Sequence, residues 1–182
     1  MATKYAVLLA FVHGVVLTSW ASEPAANSSW SQFRGPNASG IAEDGNYPVV
    51  FGPDNLLLWK TPLPSGVSSP CVWGDRVFIT CFGAEQKKLE VVCIDRRNGH
   101  ILWRQTAPSE QIEKVHPTGS PASSTPVSDG ERVYAYFGSC GLVCYDMRGN
   151  LIWKRPMPIP ITQWGTGTSP ILAADKLIIV RD

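Results

Sequence analysis

The chain has 182 residues, a formal net charge of +1, 17% charged residues and 44% hydrophobic ones. That length supports one domain with a sizeable core, and near-neutrality without a Lys/Arg stripe argues against nucleic acid or an anionic membrane surface as a partner. The 16 Gly, 15 Pro and 7 Trp favour β structure with many turns over a helical bundle.

The chain opens as a secretory signal. Lys4 supplies a short positive start, residues 5–17 are almost wholly apolar, and Ser19-Trp20-Ala21 puts small residues where cleavage needs them. Residues 1–21 are therefore expected to be removed, the alternative being a buried N-terminal helix. The apolar run is too short for a comfortable membrane span, so no span is expected after cleavage. Residues 22–57 read as an extended N-terminal segment, and residues 58–182 as a repeat region.

Three segments of that region align without gaps. They are Ser69-Pro70-Cys71-Val72-Trp73-Gly74-Asp75-Arg76-Val77, Thr125-Pro126-Val127-Ser128-Asp129-Gly130-Glu131-Arg132-Val133 and Ser169-Pro170-Ile171-Leu172-Ala173-Ala174-Asp175-Lys176-Leu177. Each reads hydroxyl, Pro, a short apolar step, a turn, an acid, a base and an apolar strand. Pro at the first residue of a strand forfeits no needed ladder donor. Gly74-Asp75 and Gly130-Glu131 mark hairpin turns. Residues 77–82 and 133–137 are β-branched and aromatic, and read as strands. Third strands are expected over 89–94 and 142–145. Asn98-Gly99 and Gly149-Asn150 then close second hairpins, leading to fourth strands over 101–104 and 151–154. Both of these end on a Trp four residues after the Gly, Trp103 after Gly99 and Trp153 after Gly149. Trp59, after Leu56-Leu57-Leu58, marks the end of an earlier copy.

Four antiparallel strands every ~40–50 residues make one blade of a β-propeller. The expected fold is all-β: a partial β-propeller of four-stranded antiparallel blades, about two complete blades plus part of a third. The third unit starts at Thr168 and stops at Asp182 within its second strand, so the missing blades are expected from the remainder of the polypeptide or from other chains. Trp59, Pro70, Gly99, Trp103, Pro126, Gly149, Trp153 and Pro170 are structural marks of the repeat. Its tryptophans read as packing between blades rather than as ligand platforms.

Export permits disulfides. Cys81 and Cys93 would lie roughly opposite each other about a turn near Lys87, and Cys140 and Cys144 flank Gly141, so Cys81–Cys93 and Cys140–Cys144 are the candidate bridges. The favoured alternative treats Cys71, Cys81, Cys93, Cys140 and Cys144 as small buried apolar residues. No Cys or His cluster has zinc spacing, and no metal site is expected.

The repeat resembles the pyrroloquinoline-quinone (PQQ)-type β-propeller repeat. That family writes its last hairpin as Ala-x-Asp, a turn with Thr-Gly, then Trp. Here Cys93 and Cys144 stand where Ala is usual, and Asn98 stands for Thr. Trp30-Ser31-Gln32-Phe33-Arg34-Gly35-Pro36-Asn37 is similar to the opening of exported bacterial members. The resemblance implies one of two roles. Some members are quinoprotein oxidoreductases that hold PQQ and calcium and oxidise alcohols or sugars. Others, such as the outer-membrane assembly lipoprotein of the BamB type, are scaffolds without a quinone. This chain has no adjacent Cys pair of the kind the dehydrogenases often carry beside the quinone. No motif matches their calcium ligands or catalytic Asp either. The recurring carboxylates Asp75, Glu131, Asp175, Asp95 and Asp146 read as architecture. No catalytic residue is assigned. The expectation is therefore a periplasmic or extracellular, non-catalytic propeller that binds a protein or a small polar ligand. PQQ and calcium enter only under the alternative of a quinoprotein fragment.

In a propeller, the loops leading into the innermost strands gather at one mouth of the central channel. Here they run over 65–69, 116–125 and 164–168. His116, Ser120, Ser123, Ser124, Trp164, Thr166 and Thr168 are the candidate ligand residues at that mouth. Against this stands the simpler reading that these hydroxyls cap turns and strand ends.

Overall fold

A computed structural model describes residues 29–42, 45 and 47–181; the expected signal segment lies outside the described residues. Among the described residues, ten strands follow a short 3-10 turn at Pro36–Ala38. The first sheet is a meander of β1 (Cys71–Trp73), β2 (Arg76–Gly83), β3 (Lys88–Asp95) and β4 (Ile101–Thr106). The second repeats it with β5 (Val127–Ser128), β6 (Arg132–Phe137), β7 (Gly141–Asp146) and β8 (Leu151–Arg155). A hairpin of β9 (Ile171–Ala173) and β10 (Lys176–Ile178) begins a third unit. All pairings are antiparallel. The architecture is all-β, with two four-stranded blades and the first hairpin of another.

The repeat extends to backbone detail. The first hairpin turns on a left-handed residue in each copy: Gly74 at φ 55°, Gly130 at φ 89° and Ala174 at φ 52°. A non-glycine residue tolerates that region at a cost. The third and fourth strands of both complete blades slip register at one place, between Cys93 and Ile94 and between Cys144 and Tyr145.

Alternation along the strands gives each sheet two buried faces. Between the blades lie Phe78, Leu89, Val91 and Cys93 of the first and Val133, Ala135, Phe137, Val143 and Tyr145 of the second. On the far face of the first blade, Cys81, Val92 and Ile94 pack under Trp59. On the far face of the second, Val127, Tyr134 and Cys144 meet Leu172 and Leu177 of the third unit.

The expected cysteine pairings do not form. Cys81 stands opposite Glu90 and Cys93 opposite Phe78, because the strands pair about a tighter turn that ends at Gly83 and Lys88. A three-residue offset in a period-two element sends the two thiols to opposite faces of the sheet. Cys140 lies on the blade–blade face and Cys144 on the other face of the second blade. All five thiols are free; four are fully buried, and Cys140 is partly buried where the alternative reading had all five buried. Burial pushes the Cys71, Cys93 and Cys144 thiols up to about 12 and those of Cys81 and Cys140 up to about 11.

Two contacts join successive blades and recur. Trp59 donates from Nε1 to the Arg96 carbonyl at 2.8 Å, and Trp103 donates to the Met147 carbonyl at 3.1 Å. In each case the ring lies against a left-handed glycine. A Cβ on Gly99 would come within 2.7 Å of the Trp59 ring, and one on Gly149 within 2.8 Å of Trp103. Only a bare Cα admits both the turn and the ring. At the inner edge, the Ser69 amide donates to Thr125 Oγ1 and the Thr125 amide to Ser169 Oγ, both at 3.0 Å. The hydroxyls before Pro126 and Pro170 thus each satisfy an amide of the preceding blade.

The N-terminal segment crosses all three units. Trp30 exchanges backbone hydrogen bonds with Val72, at 2.9 and 2.8 Å, and Ser31 accepts from the Ser128 amide at 2.9 Å. Gln32 Oε1 accepts from the Leu172 amide at 3.4 Å. Val72, Ser128 and Leu172 hold the same position in the three repeats. Consecutive residues of one strap therefore meet consecutive blades.

Candidate functional site

Three carboxylates, Asp95, Asp129 and Asp146, are engaged by turns. Asp95 accepts from the Arg97 amide at 2.8 Å and from its guanidinium at 3.1 and 2.8 Å. The Arg97 contacts hold the Asp95 carboxyl down at about 2. Asp146 accepts from the amides of Arg148 and Asn150 and from the Asn150 side chain, each at 2.8 Å. Asp129 takes the amides of Glu131 and Arg132 and the Tyr134 hydroxyl. These groups close hairpins. Among the described residues no three His, Cys, Asp or Glu side chains gather as a metal site.

What the repeat does not explain lies in the loops leading into β5 and β9, called inlet loops below. Several candidate hydroxyls there are used internally. Ser120 Oγ accepts from the Ala122 amide, Ser123 donates to the Ser120 carbonyl, and Ser124 donates to the Thr168 carbonyl. Ser120 and Ser124 are buried. The remaining candidates come together. The His116 and Trp164 rings lie 4.6 Å apart, tilted by 48°, and the His116 amide donates to the Trp164 carbonyl at 3.3 Å. His116 Nδ1 lies 2.8 Å from Thr118 Oγ1 and 3.3 Å from the Thr118 amide nitrogen. Trp164 is 62% exposed.

Thr166 meets a residue without a sequence signal. Its amide and hydroxyl both donate to Glu113 Oε2, at 3.0 and 2.7 Å. Glu113 is only 5% exposed, and its Oε1 is buried without a hydrogen-bond partner. Its own amide donates to Ser139 Oγ at 3.0 Å. Gly138 forms the floor: a Cβ there would lie 2.5 Å from Oε1 and 2.1 Å from Thr166 Oγ1. Glu113 also borders a cavity of about 440 Å³, lined by Ser65, Phe82, Ile112, Val115 and His116 among others, which Thr166, Gly138 and Ser139 do not line. A smaller cavity of about 120 Å³ lies on the other side of Thr166, under Tyr136 and Arg181. The site thus offers one buried anionic acceptor, one imidazole, an exposed indole and apolar walls.

A quinone–calcium centre requires six to eight oxygen ligands around the ion. Among the described residues no three His, Cys, Asp or Glu side chains gather, and the inlet loops supply only Glu113 and, on the wall of a neighbouring cavity, Glu110. That donor set does not fit the pair.

The family model described as "Outer membrane protein assembly factor BamB" matches residues 42–181. Among solved structures, a europium-containing methanol dehydrogenase is similar at 16% identity with a TM-score of 0.42. That alignment covers 58% of this chain and 20% of the dehydrogenase, so the likeness spans a fifth of the dehydrogenase's length. No curated protein matches.

Proposed function

The chain belongs to the family of outer membrane protein assembly factor BamB, and from that premise we propose that it is an exported, non-catalytic PQQ-like propeller that binds a protein through its inlet loops. Residues 1–21 serve as the signal peptide, and residues 58–182 contribute blades to a periplasmic or extracellular domain. The observation that carries the reading is a division of labour among the polar residues. Asp95, Asp129 and Asp146 close turns, and Thr125 and Ser169 join blades. Among the described residues two buried polar groups are left over: the Tyr145 hydroxyl between the blades, and Glu113, which belongs to the inlet loops and borders a cavity there. A buried acceptor beside apolar walls suits recognition. Fold alone does not decide between binding and catalysis.

The test uses the full-length protein. PQQ and calcium are added, and the bound chromophore and dye-linked alcohol or sugar oxidation are measured. Neither is expected. Stoichiometric quinone uptake with turnover overturns the proposal in favour of a quinoprotein oxidoreductase.

A further inference from the structure

Arg181 departs from the repeat. Four residues beyond Val77, Val133 and Leu177, the ungapped alignment sets Cys81, Phe137 and Arg181 at one position. Cys81 and Phe137 are apolar and 1% exposed. A half-buried guanidinium stands in the third unit, and a charge withdrawn from water needs partners. Its partners among the described residues are neutral. Nε donates to the Tyr136 hydroxyl at 3.0 Å, and one terminal nitrogen donates to the Pro158 carbonyl. The other terminal nitrogen has no hydrogen-bond partner among the described residues. The ion pairs there involve Asp75, Asp95, Glu90, Glu131 and Asp175, and none reaches Arg181.

Both members of the Arg181–Tyr136 bond line the smaller cavity, of about 120 Å³, beneath the inlet loop into β9. Thr162, Gly167 and Val180 of the same wall are exposed, so the cavity is reached from solvent. Its polar side chains are poised to donate. Tyr136 accepts from Arg181, and Thr162 Oγ1 accepts from the Gly165 amide at 2.8 Å, which leaves both hydroxyl protons for another acceptor. Among the described residues no Asp or Glu lines this cavity.

A wall of donors around one cation suits an oxyanion, and charge and size narrow the choice. Arg181 is the one cation on the wall among the described residues, so it balances a single negative charge. A phosphate group carries about −1.5 to −2 at neutral pH and would leave an excess. The Gly165 and Thr166 amides, of the kind that cradle phosphates, are already committed to Thr162 and Glu113. The volume equals that of about four waters at about 30 Å³ each, which suits a carboxylate with its nearest methylenes. Pro160 and Val180 offer those carbons apolar contact.

Resting on the protein-binding role above, we propose that this cavity takes the side-chain carboxylate of a Glu or Asp in a bound polypeptide. Arg181 supplies the charge-assisted hydrogen bond, which is about twice as strong as a neutral one, and the Tyr136 and Thr162 hydroxyls supply further donors.

The test titrates full-length protein by calorimetry with a capped pentapeptide, Gly-Gly-Glu-Gly-Gly, with the same peptide carrying glutamine, and with acetate. The wild type is expected to bind the glutamate peptide saturably and at least about tenfold more tightly than either the glutamine peptide or acetate. Arg181→Met, of similar length without the charge, is expected to remove the preference for glutamate while leaving the thermal melt cooperative. If Arg181→Met fails to fold, Tyr136→Phe keeps the ring and removes one donor, and is expected to weaken the glutamate peptide at least about threefold with the glutamine peptide unchanged. Absence of glutamate-peptide binding, equal affinity for the two peptides, or an unchanged preference in Arg181→Met or Tyr136→Phe overturns the carboxylate site. Acetate binding as tightly as the glutamate peptide overturns the polypeptide as its source. None of these outcomes touches the binding role, which fails separately on quinone uptake.

Discussion

If the recurring tryptophans hold blades together, Trp103 should be far more costly to remove than Trp164. The Trp103 ring lies 5.9 Å from Phe78 and 6.0 Å from Tyr145, tilted by about 40° to each, and so bridges the two sheets. Its indole N–H also reaches the Met147 carbonyl at 3.1 Å. Truncating a packed Trp to Ala costs about 3–5 kcal/mol. Trp103 is half-buried, which places Trp103→Ala near the lower end, about 3 kcal/mol. Trp103→Phe keeps much of the ring contact and loses the hydrogen bond and some area, about 1–2 kcal/mol. Trp164 stacks on His116 with 62% of its surface exposed, so Trp164→Ala should cost less than about 1 kcal/mol. Equilibrium urea unfolding of the full-length protein, with the m-value checked for constancy, measures all three. A loss below about 1 kcal/mol for Trp103→Ala, or an equal loss for Trp164→Ala, refutes the assignment of these rings to inter-blade packing.

Acid should expose the role of the turn carboxylates. The Asp95 carboxyl is lowered to about 2, chiefly by the Arg97 side chain. A depressed pKa contributes stability that is present above the unfolded value near 4 and is lost as pH falls toward 2. Asp95→Asn should therefore flatten the pH dependence of stability between about pH 4 and 2; an unchanged acid limb in chemical denaturation would count against it. The strap predicts a thiol pattern. Cys71 is fully buried and its thiol donates to the Ser31 carbonyl at 3.1 Å, with the thiol pushed up to about 12 by burial. Deleting residues 29–35 should let iodoacetamide modify Cys71 while Cys81, Cys93 and Cys144 stay protected, as peptide mass mapping would report. Continued protection of Cys71 would show that the strap does not cover it.

The blade was legible in the sequence because its signals are local. A left-handed turn favours Gly74 or Gly130, a strand start tolerates Pro70 or Pro126, and a period-two apolar run has few alternatives. Strand pairing was less legible. The placement of Cys81 opposite Cys93 assumed a turn centred on Lys87, whereas the ladder closes at Gly83 and Lys88. A turn of four residues, Ala84 to Lys87, has no strong type signal, and a shift of register exchanges faces. Glu113 left no mark at all. Its burial arises from contacts with Ser139, 26 positions away, and Thr166, 53 positions away. Nothing in Ile112-Glu113-Lys114 announces them. Thr166 and His116 were singled out through the topology of the inlet loops, and the carboxylate that Thr166 meets was not. The contrast has a physical cause. A repeat encodes what every blade needs, so positions shared among copies report stability. A group that only one inlet loop supplies, held by three separate segments and left one bond short, answers to no such need. Among the described residues two departures from the repeat are both buried and unsatisfied: Tyr145, which stands where the first blade has Ile94 and packs between the blades, and Glu113, which alone of the two belongs to the inlet loops.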